Sequence, residues 1–208
     1  MAIIDKPTDY FDTKLYTGNG GTQSITGLDF QPDLVWWKSR GAAQDHQLYD
    51  VVRGVTKAIE SNKNTAEYTQ ANGLTSFNSD GFTVGDGTAG NASGDTFASW
   101  NFKAGGTASS NTAGSINSSV SVNQEAGFSI VSYTGNGSAG ATIGHGLNAV
   151  PYLMMLKKLN AVDSWYVYHN SLGNTQKLTL NDTGAAGTSS NTWNNTSPTS
   201  SLFTLGNN

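Results

Sequence analysis

The chain has no cysteine, only 4 prolines and 3 methionines in 208 residues, and charged side chains make up just 12% of it. Without cysteine there is neither a disulfide framework nor a thiolate metal site. The charged fraction is about half of the roughly 25% usual for globular domains. That leaves too few Lys and Glu side chains to clothe the outer faces of ordinary solvated helices. The 11 basic and 15 acidic residues give a formal net charge of −4, and Lys157-Lys158 is the only adjacent basic pair. A cationic stripe able to neutralise phosphates is missing, which argues against a nucleic-acid partner. No apolar run approaches the roughly 18 residues of a membrane-spanning helix, so membrane insertion is not expected. The opening MAIIDKPTDYFDTK has no basic stretch followed by an apolar one, which speaks against a secretory signal.

What the chain does have is glycine (25 residues), more than 60 Ser, Thr and Asn, and an apolar fraction of 36% that includes 5 Trp, 8 Tyr and 8 Phe. Enough apolar surface is present to pack a core, so disorder is not expected. Polar turn residues between short apolar stretches are the composition of an all-β protein.

An internal repeat sets the organisation. Tyr16-Thr17-Gly18-Asn19-Gly20 returns as Tyr133-Thr134-Gly135-Asn136-Gly137. Phe11 falls on Phe128, and Pro32 through Lys38 on Pro151 through Lys157. His46 through Asp50 falls on Trp165 through His169, Gly54 on Gly173, Asn62 on Asn181, Ala66 on Ala185, and Phe82 through Gly85 on Phe203 through Gly206. A collinear series with an offset of 117 to 121 residues is not the product of a glycine-rich composition.

Within each copy the hydrophobic period is two, the period of strands. Strands are expected at 10–16, 24–30, 33–39, 47–52, 55–61, 82–84 and 96–103, and at the matching positions of the second copy. In 33–39, Leu34 and Trp36 point one way and Val35 and Trp37 the other, so both faces are expected to be covered. Residues 105–123, rich in Gly, Ser, Thr and Asn, read as a linker. The expected architecture is two tandem homologous domains, each a β-sandwich or jelly roll: 1–104 with a short N-terminal leader, and 124–208. The second copy reaches Asn208 without a counterpart of the strand at 96–103. Either the chain is a fragment of a longer protein or another chain supplies that strand by edge addition, and the first reading is preferred.

Motifs that carry chemistry are weak. Gly135-Asn136-Gly137-Ser138-Ala139-Gly140 is a literal G-x-G-x-x-G, but the residues that follow it cannot start a helix, and the first copy has Gln23 at the third glycine. A hairpin turn explains it better than a dinucleotide fingerprint. Of the three histidines, His46, His145 and His169, the first falls on Trp165 and the last on Asp50 of the opposite copy, so no metal site is expected from them. Asp80-Gly81, Asp86-Gly87 and Gly94-Asp95 lack calcium-loop spacing and read as turns. No G-x-S-x-G elbow is present, and no catalytic residue or cofactor is expected. Among the tryptophans, Trp36 and Trp37 are replaced by Met155 and Leu156 in the second copy, and Trp100 sits in an alternating strand, so all three are expected in the core. Trp193 lies in a polar stretch, Asn191-Thr192-Trp193-Asn194-Asn195-Thr196, and is the expected exposed aromatic.

The run Ile25-Thr26-Gly27-Leu28-Asp29-Phe30-Gln31-Pro32-Asp33-Leu34-Val35-Trp36 after Tyr-Thr-Gly-Asn-Gly resembles a repeat domain of marine tailed-bacteriophage proteins. So do Leu74 through Thr83 and Gly127-Phe128-Ser129-Ile130. The likeness covers nearly the whole chain and rests on structural motifs. It implies a virion structural protein that is not an enzyme: a tail fibre or similar appendage engaged in particle assembly and host-surface contact. The alternatives are a capsid-surface fibre or decoration protein and a module that binds host polysaccharide. The expected partners are other virion proteins, further copies of the chain (a homotrimer), and a host surface glycan. Residues 1–9 are the expected attachment to the particle, with Ile3, Ile4 and Tyr10 as anchors, and Trp193 and Tyr166 are the expected glycan or partner contacts. A polysaccharide-degrading enzyme would instead need two carboxylates roughly 5–9.5 Å apart across a cleft.

Overall fold

The structure, a computed structural model, describes residues 4–207. It is built almost wholly from antiparallel strands. The strands of the first copy are β1 (Phe11–Thr17), β2 (Gln23–Ile25), β3 (Leu34–Ser39), β4 (Gln47–Asp50), β5 (Lys57–Glu60), β6 (Tyr68–Thr69), β7 (Leu74–Asn78), β8 (Gly81–Val84) and β9 (Thr96–Phe102). They are followed by β10 (Ser109–Asn111), β11 (Ser118–Asn123), β12 (Phe128–Tyr133), β13 (Thr142–Gly144), β14 (Leu153–Leu156), β15 (Tyr166–His169), β16 (Gln176–Thr179), β17 (Gly187–Thr188) and β18 (Leu202–Thr204). A single turn of 3-10 helix (Pro7–Asp9) and one short α-helix, α1 (Thr88–Asn91), complete the regular elements among the described residues.

In the first copy a six-stranded sheet runs β1-β9-β3-β4-β5-β6 and a three-stranded sheet runs β2-β8-β7. The alternation read from the sequence decides which side chains meet between them. Val35 and Trp37 of β3, Tyr49 of β4 and Ala58 of β5 face inward and meet Ile25, Leu74, Phe82 and Val84 of the smaller sheet. The Trp37 ring stacks on Phe82 at 6.2 Å and lies 4.7 Å from Tyr49. Burial of that many aromatic and branched side chains, each contributing about 1.5–3 kcal/mol, supplies the main stabilisation of this half.

The second copy repeats this bonding. Val51 N–H donates to Asp33 O and Asn170 N–H to Tyr152 O. Ser61 N–H donates to His46 O and Leu180 N–H to Trp165 O. The Asn62 and Asn181 side chains accept from the His46 and Trp165 N–H groups in the same way, at 2.9 and 2.8 Å. Its core is smaller: Ile116, Ala141, Ile143 and Phe203, with Val131, Tyr133, Met154 and Leu156 partly buried against them. The strands fall into a 3-stranded sheet β10-β11-β12, a 4-stranded sheet β14-β15-β16-β17 and the pair β13-β18.

Three sequence expectations need correction here. Residues 105–123 are not a plain linker, because they contain β10 and β11, and β11 pairs with β12 from Ser118–Tyr133 to Asn123–Phe128. Ile116 and Val120 are buried in this stretch, and Gly105 and Gly106 are tied to the Ser121 hydroxyl and the Asp33 carboxylate. Small polar residues hid the alternation from a reading of composition. Trp100 is not in the core: it is 36% exposed on the outward face of β9. Of the neighbouring pair in β3, only Trp37 enters the core, while Trp36 faces outward and is half-buried.

The two copies are joined by a third cluster. Trp165, from just before β15, packs against Leu48 and Ile59 on the outward face of β4 and β5, with Leu34, Trp36, Leu159 and Leu180 around them. Its indole N–H donates to Glu60 O at 2.8 Å. Two backbone bonds flank it, Glu67 N–H to Leu159 O at 2.8 Å and Asp163 N–H to Asn64 O at 2.9 Å.

Candidate functional site

Because Trp165 and its neighbours cover only the β4–β5 end of the outward face, the β1–β9–β3 end remains open. Strand register fixes what lies there. Phe11, Phe102 and Leu34 stand in one row, Thr13, Trp100 and Trp36 in the next, and Leu15, Ala98 and Lys38 in the third. Phe11, Leu15 and Trp100 are exposed. Rings meet along this shelf: Phe11 to Phe102 at 4.7 Å, Trp36 to Trp100 at 5.9 Å, and Phe102 stacked on Phe128 of β12 at 5.2 Å. Cross-strand aromatic pairs of this kind hold the sheet and also hold each ring in place.

Trp36, Trp100, Phe102, Lys38 and His46 line a recess of about 190 Å³ on the shelf. Lys38 donates to Ser39 O at 2.6 Å and to Ala42 O at 3.1 Å, which holds its charge at the rim. The His46 imidazole titrates below its ordinary value, chiefly because burial penalises the charged ring and secondarily because Lys38 is close. The Trp36 indole N–H is buried and has no hydrogen-bond partner among the described residues. The recess therefore combines aromatic faces with a cation at its rim. Such a surface suits a ligand with both apolar faces and hydroxyl acceptors, for which aromatic residues of mixed character are well adapted.

The residues expected from sequence to make contacts are placed elsewhere. Trp193 is 1% exposed, not exposed as expected. Gly206 N–H donates to Thr192 O as Gly85 N–H does to Gly73 O, so Trp193 occupies the place that core residue Leu74 takes in the first copy. Its ring meets Tyr168 edge-on at 5.7 Å and its N–H donates to Gln176 O at 3.0 Å. A polar sequence neighbourhood concealed a core position. Tyr166 is partly buried, with Lys177 Nζ 3.8 Å from its ring centroid and its hydroxyl donating to Asp163 at 3.2 Å. Burial foremost, and then the Asp163 charge, raises its ionisation above the usual tyrosine value. The structure does not bring Trp193 and Tyr166 together into an exposed platform.

Of the expected anchors, Ile3 lies outside the described residues. Ile4 is half-buried. Tyr10 is bound within the chain: Lys103 N–H donates to its carbonyl at 2.8 Å, and its hydroxyl is held up in pKa first by a hydrogen bond to the Glu125 carboxylate. His145 is buried, accepts from Leu147 N–H through Nδ1 at 3.3 Å, and has Nε2 3.2 Å from Thr199 O. Among the described residues no group of three or more His, Asp or Glu side chains is arranged to hold a metal ion. None of their helices is long and apolar enough to cross a membrane.

The sequence signal that would have found the shelf is the two-faced pattern of β3 and β9. Large rings occur on the Trp36–Trp100 face as well as on the Trp37–Phe97 face, and only one of these can be the inner one. Compared with known proteins, residues 6–208 match the family described as a domain of unknown function (DUF7483), and the chain belongs to that family. No curated protein and no solved structure matches it.

Proposed function

We propose that this chain is a structural protein of a bacteriophage particle, a tail fibre or similar appendage that works by assembly and surface contact and not by turnover. In this reading it consists of two tandem β-sandwich modules joined through Trp165, and it associates with other virion proteins and with copies of itself as a homotrimer. The reading draws on the resemblance of the repeat motifs to marine tailed-phage proteins. The observation that carries its contact role is the exposed aromatic shelf around Trp36, Trp100 and Phe102. An outward sheet face is normally polar when it meets only water, and a row of rings held by cross-strand pairs is a surface built to be covered.

The test is the purified particle of the phage that encodes the chain. Antibody labelling and cryo-electron microscopy of that particle are expected to place the protein on the tail, at a site whose symmetry matches a trimer. Labelling of the capsid surface replaces the appendage by a decoration protein. Absence of the chain from particles refutes the proposal.

A second reading, direct binding of a host surface polysaccharide, is favoured by the same shelf, because a sugar ring presents C–H groups to an indole face and hydroxyls to donors such as Lys38. Binding on a glycan array that is lost in Trp100→Ala and kept in Trp193→Phe supports it. Uniform loss in both variants, or no binding at all, removes it.

A further inference from the structure

Strand β1 is the outermost strand of the six-stranded sheet, and among the described residues no strand pairs with its outer edge. Two backbone bonds fix which residues turn that way. Lys103 N–H donates to Tyr10 O and Gly18 N–H donates to Asp95 O, both at 2.8 Å. Bonded residues alternate along an antiparallel pair, so Tyr10, Asp12, Lys14, Tyr16 and Gly18 turn their N–H and C=O groups toward β9. Phe11, Thr13, Leu15 and Thr17 turn theirs outward. The Thr13 N–H reaches only its own neighbour, donating to Asp12 Oδ1 at 2.7 Å.

The side chains along this edge read the same from both ends. Phe11, Thr13 and Leu15 stand on the shelf face, with Phe11 38% and Leu15 69% exposed. Asp12 and Lys14 stand on the other face, 3.2 Å apart, and Lys14 Nζ also donates to Gly27 O at 2.6 Å. Outward from Thr13, the order in each direction is a charge and then an apolar residue, with the charges of opposite sign. An inward-facing charge on an edge strand normally blocks pairing with another strand. Here a second copy of the same strand, turned by 180° about Thr13, places an acid against each base.

We propose that the outer edge of β1 pairs with β1 of a second copy of this chain, antiparallel and about a twofold axis at Thr13. Thr13 then faces Thr13 of the second copy, and Phe11 faces Leu15 in both directions. These are the outward-turned residues, so their main-chain groups bond across the axis. Asp12 faces Lys14 in the intervening pairs, where opposite side chains come closest. Centring the pair one residue to either side sets Asp12 against Asp12 or Lys14 against Lys14, so charge selects the register. The two most exposed apolar side chains of the edge cover each other. Thr13 shares a row with Trp100 and Trp36, and the pairing therefore joins two aromatic shelves into one face. The contact is isologous. It is separate from the threefold association of the proposed function and does not require it.

The chain has no cysteine, so Thr13→Cys introduces a single thiol. Across the axis its Cα would lie about 5.5 Å from its counterpart, within disulfide range. Thr17 is exposed on the same strand, but its counterpart would lie about 26 Å away, and Thr17→Cys is the control. In oxidised glutathione, Thr13→Cys is expected to form at least about tenfold more covalent dimer on a non-reducing gel than Thr17→Cys at equal concentration. Adding Asp12→Lys or Lys14→Asp to Thr13→Cys lowers the yield by about tenfold, and mixing the two charge variants restores it, which a misfolded variant would not do. Equal cross-linking at the two positions, no cross-linking at Thr13→Cys, or no recovery on mixing overturns the proposal. Protection of the Phe11 and Leu15 amides from exchange that does not vary with concentration assigns the edge to a segment of the same chain, and the proposal fails.

Discussion

Removing Trp165 tests how far the two copies act as one cooperative body. The side chain is 4% exposed and lies among Leu48, Ile59, Leu34 and Trp36 of the first copy and Leu159 and Leu180 of the second. Truncation to alanine removes the buried ring, leaves a cavity between the copies and strips Glu60 O of its 2.8 Å donor. Buried Trp→Ala changes cost about 3–5 kcal/mol, of which the indole hydrogen bond accounts for about 1 kcal/mol. Trp165→Phe keeps most of the apolar contact and is expected to cost about 1–2 kcal/mol. The Glu67–Leu159 and Asp163–Asn64 backbone bonds, the Phe102–Phe128 stack and the Gly105–Ser121 bond still hold the halves together, but with this cluster lost the smaller-cored second copy should melt first. Guanidinium titration followed by circular dichroism reads both effects: a lowered midpoint for Trp165→Phe, and a split transition for Trp165→Ala. A loss below about 1 kcal/mol in Trp165→Ala, with one unchanged transition, would refute the view that this residue joins the halves.

Further predictions follow from other sites. Arg53 is buried and donates to the Asp50 and Glu67 carboxylates and to Leu48 O and Lys57 O. Arg53→Met strands the buried Asp50 carboxylate and should cost about 3–5 kcal/mol in urea unfolding, with part regained in the double variant carrying Asp50→Asn. Burial lowers the His145 pKa, so the folded chain binds its proton less readily than the unfolded chain does. That contribution to stability is full above the ordinary imidazole value near 6.5 and is lost as pH falls below it, and thermal melts from pH 7.5 to 5 should show the decline flattened in His145→Gln. Gly18→Ala should cost about 1–3 kcal/mol, because its Cβ would overlap Ala92 O, whereas Gly135→Ala should change the melting point little; equal effects would contradict the bare second turn.

Much of the fold is legible in the sequence because the signals are local and doubled. The period-two alternation of Leu34 through Ser39 and of Thr96 through Phe102 became β3 and β9 with the faces as read, and the repeat offset reappears in matching hydrogen bonds at Asn62 and Asn181. Strands β10 and β11 are not legible in the sequence because Ser and Asn occupy exposed and buried positions alike, Ser118 and Ser121 among the buried ones, so that only Ile116, Val120 and Val122 carry an apolar pattern. The exposure of the tryptophans was misjudged in both directions. Trp193 sits among polar residues and is buried, while Trp100 sits in a strong strand and is partly exposed.

The sequence by itself determined that this is a β-rich chain with two related halves, because side-chain alternation and turn residues act over a few positions and need no distant partner. Tertiary structure alone decided which face of each sheet is covered, because a strand with rings on both sides does not specify what packs on either. The Trp165 joint leaves one end of a sheet face open. That outcome depends on residues about a hundred positions apart, whose meeting is decided by the packing of the whole chain.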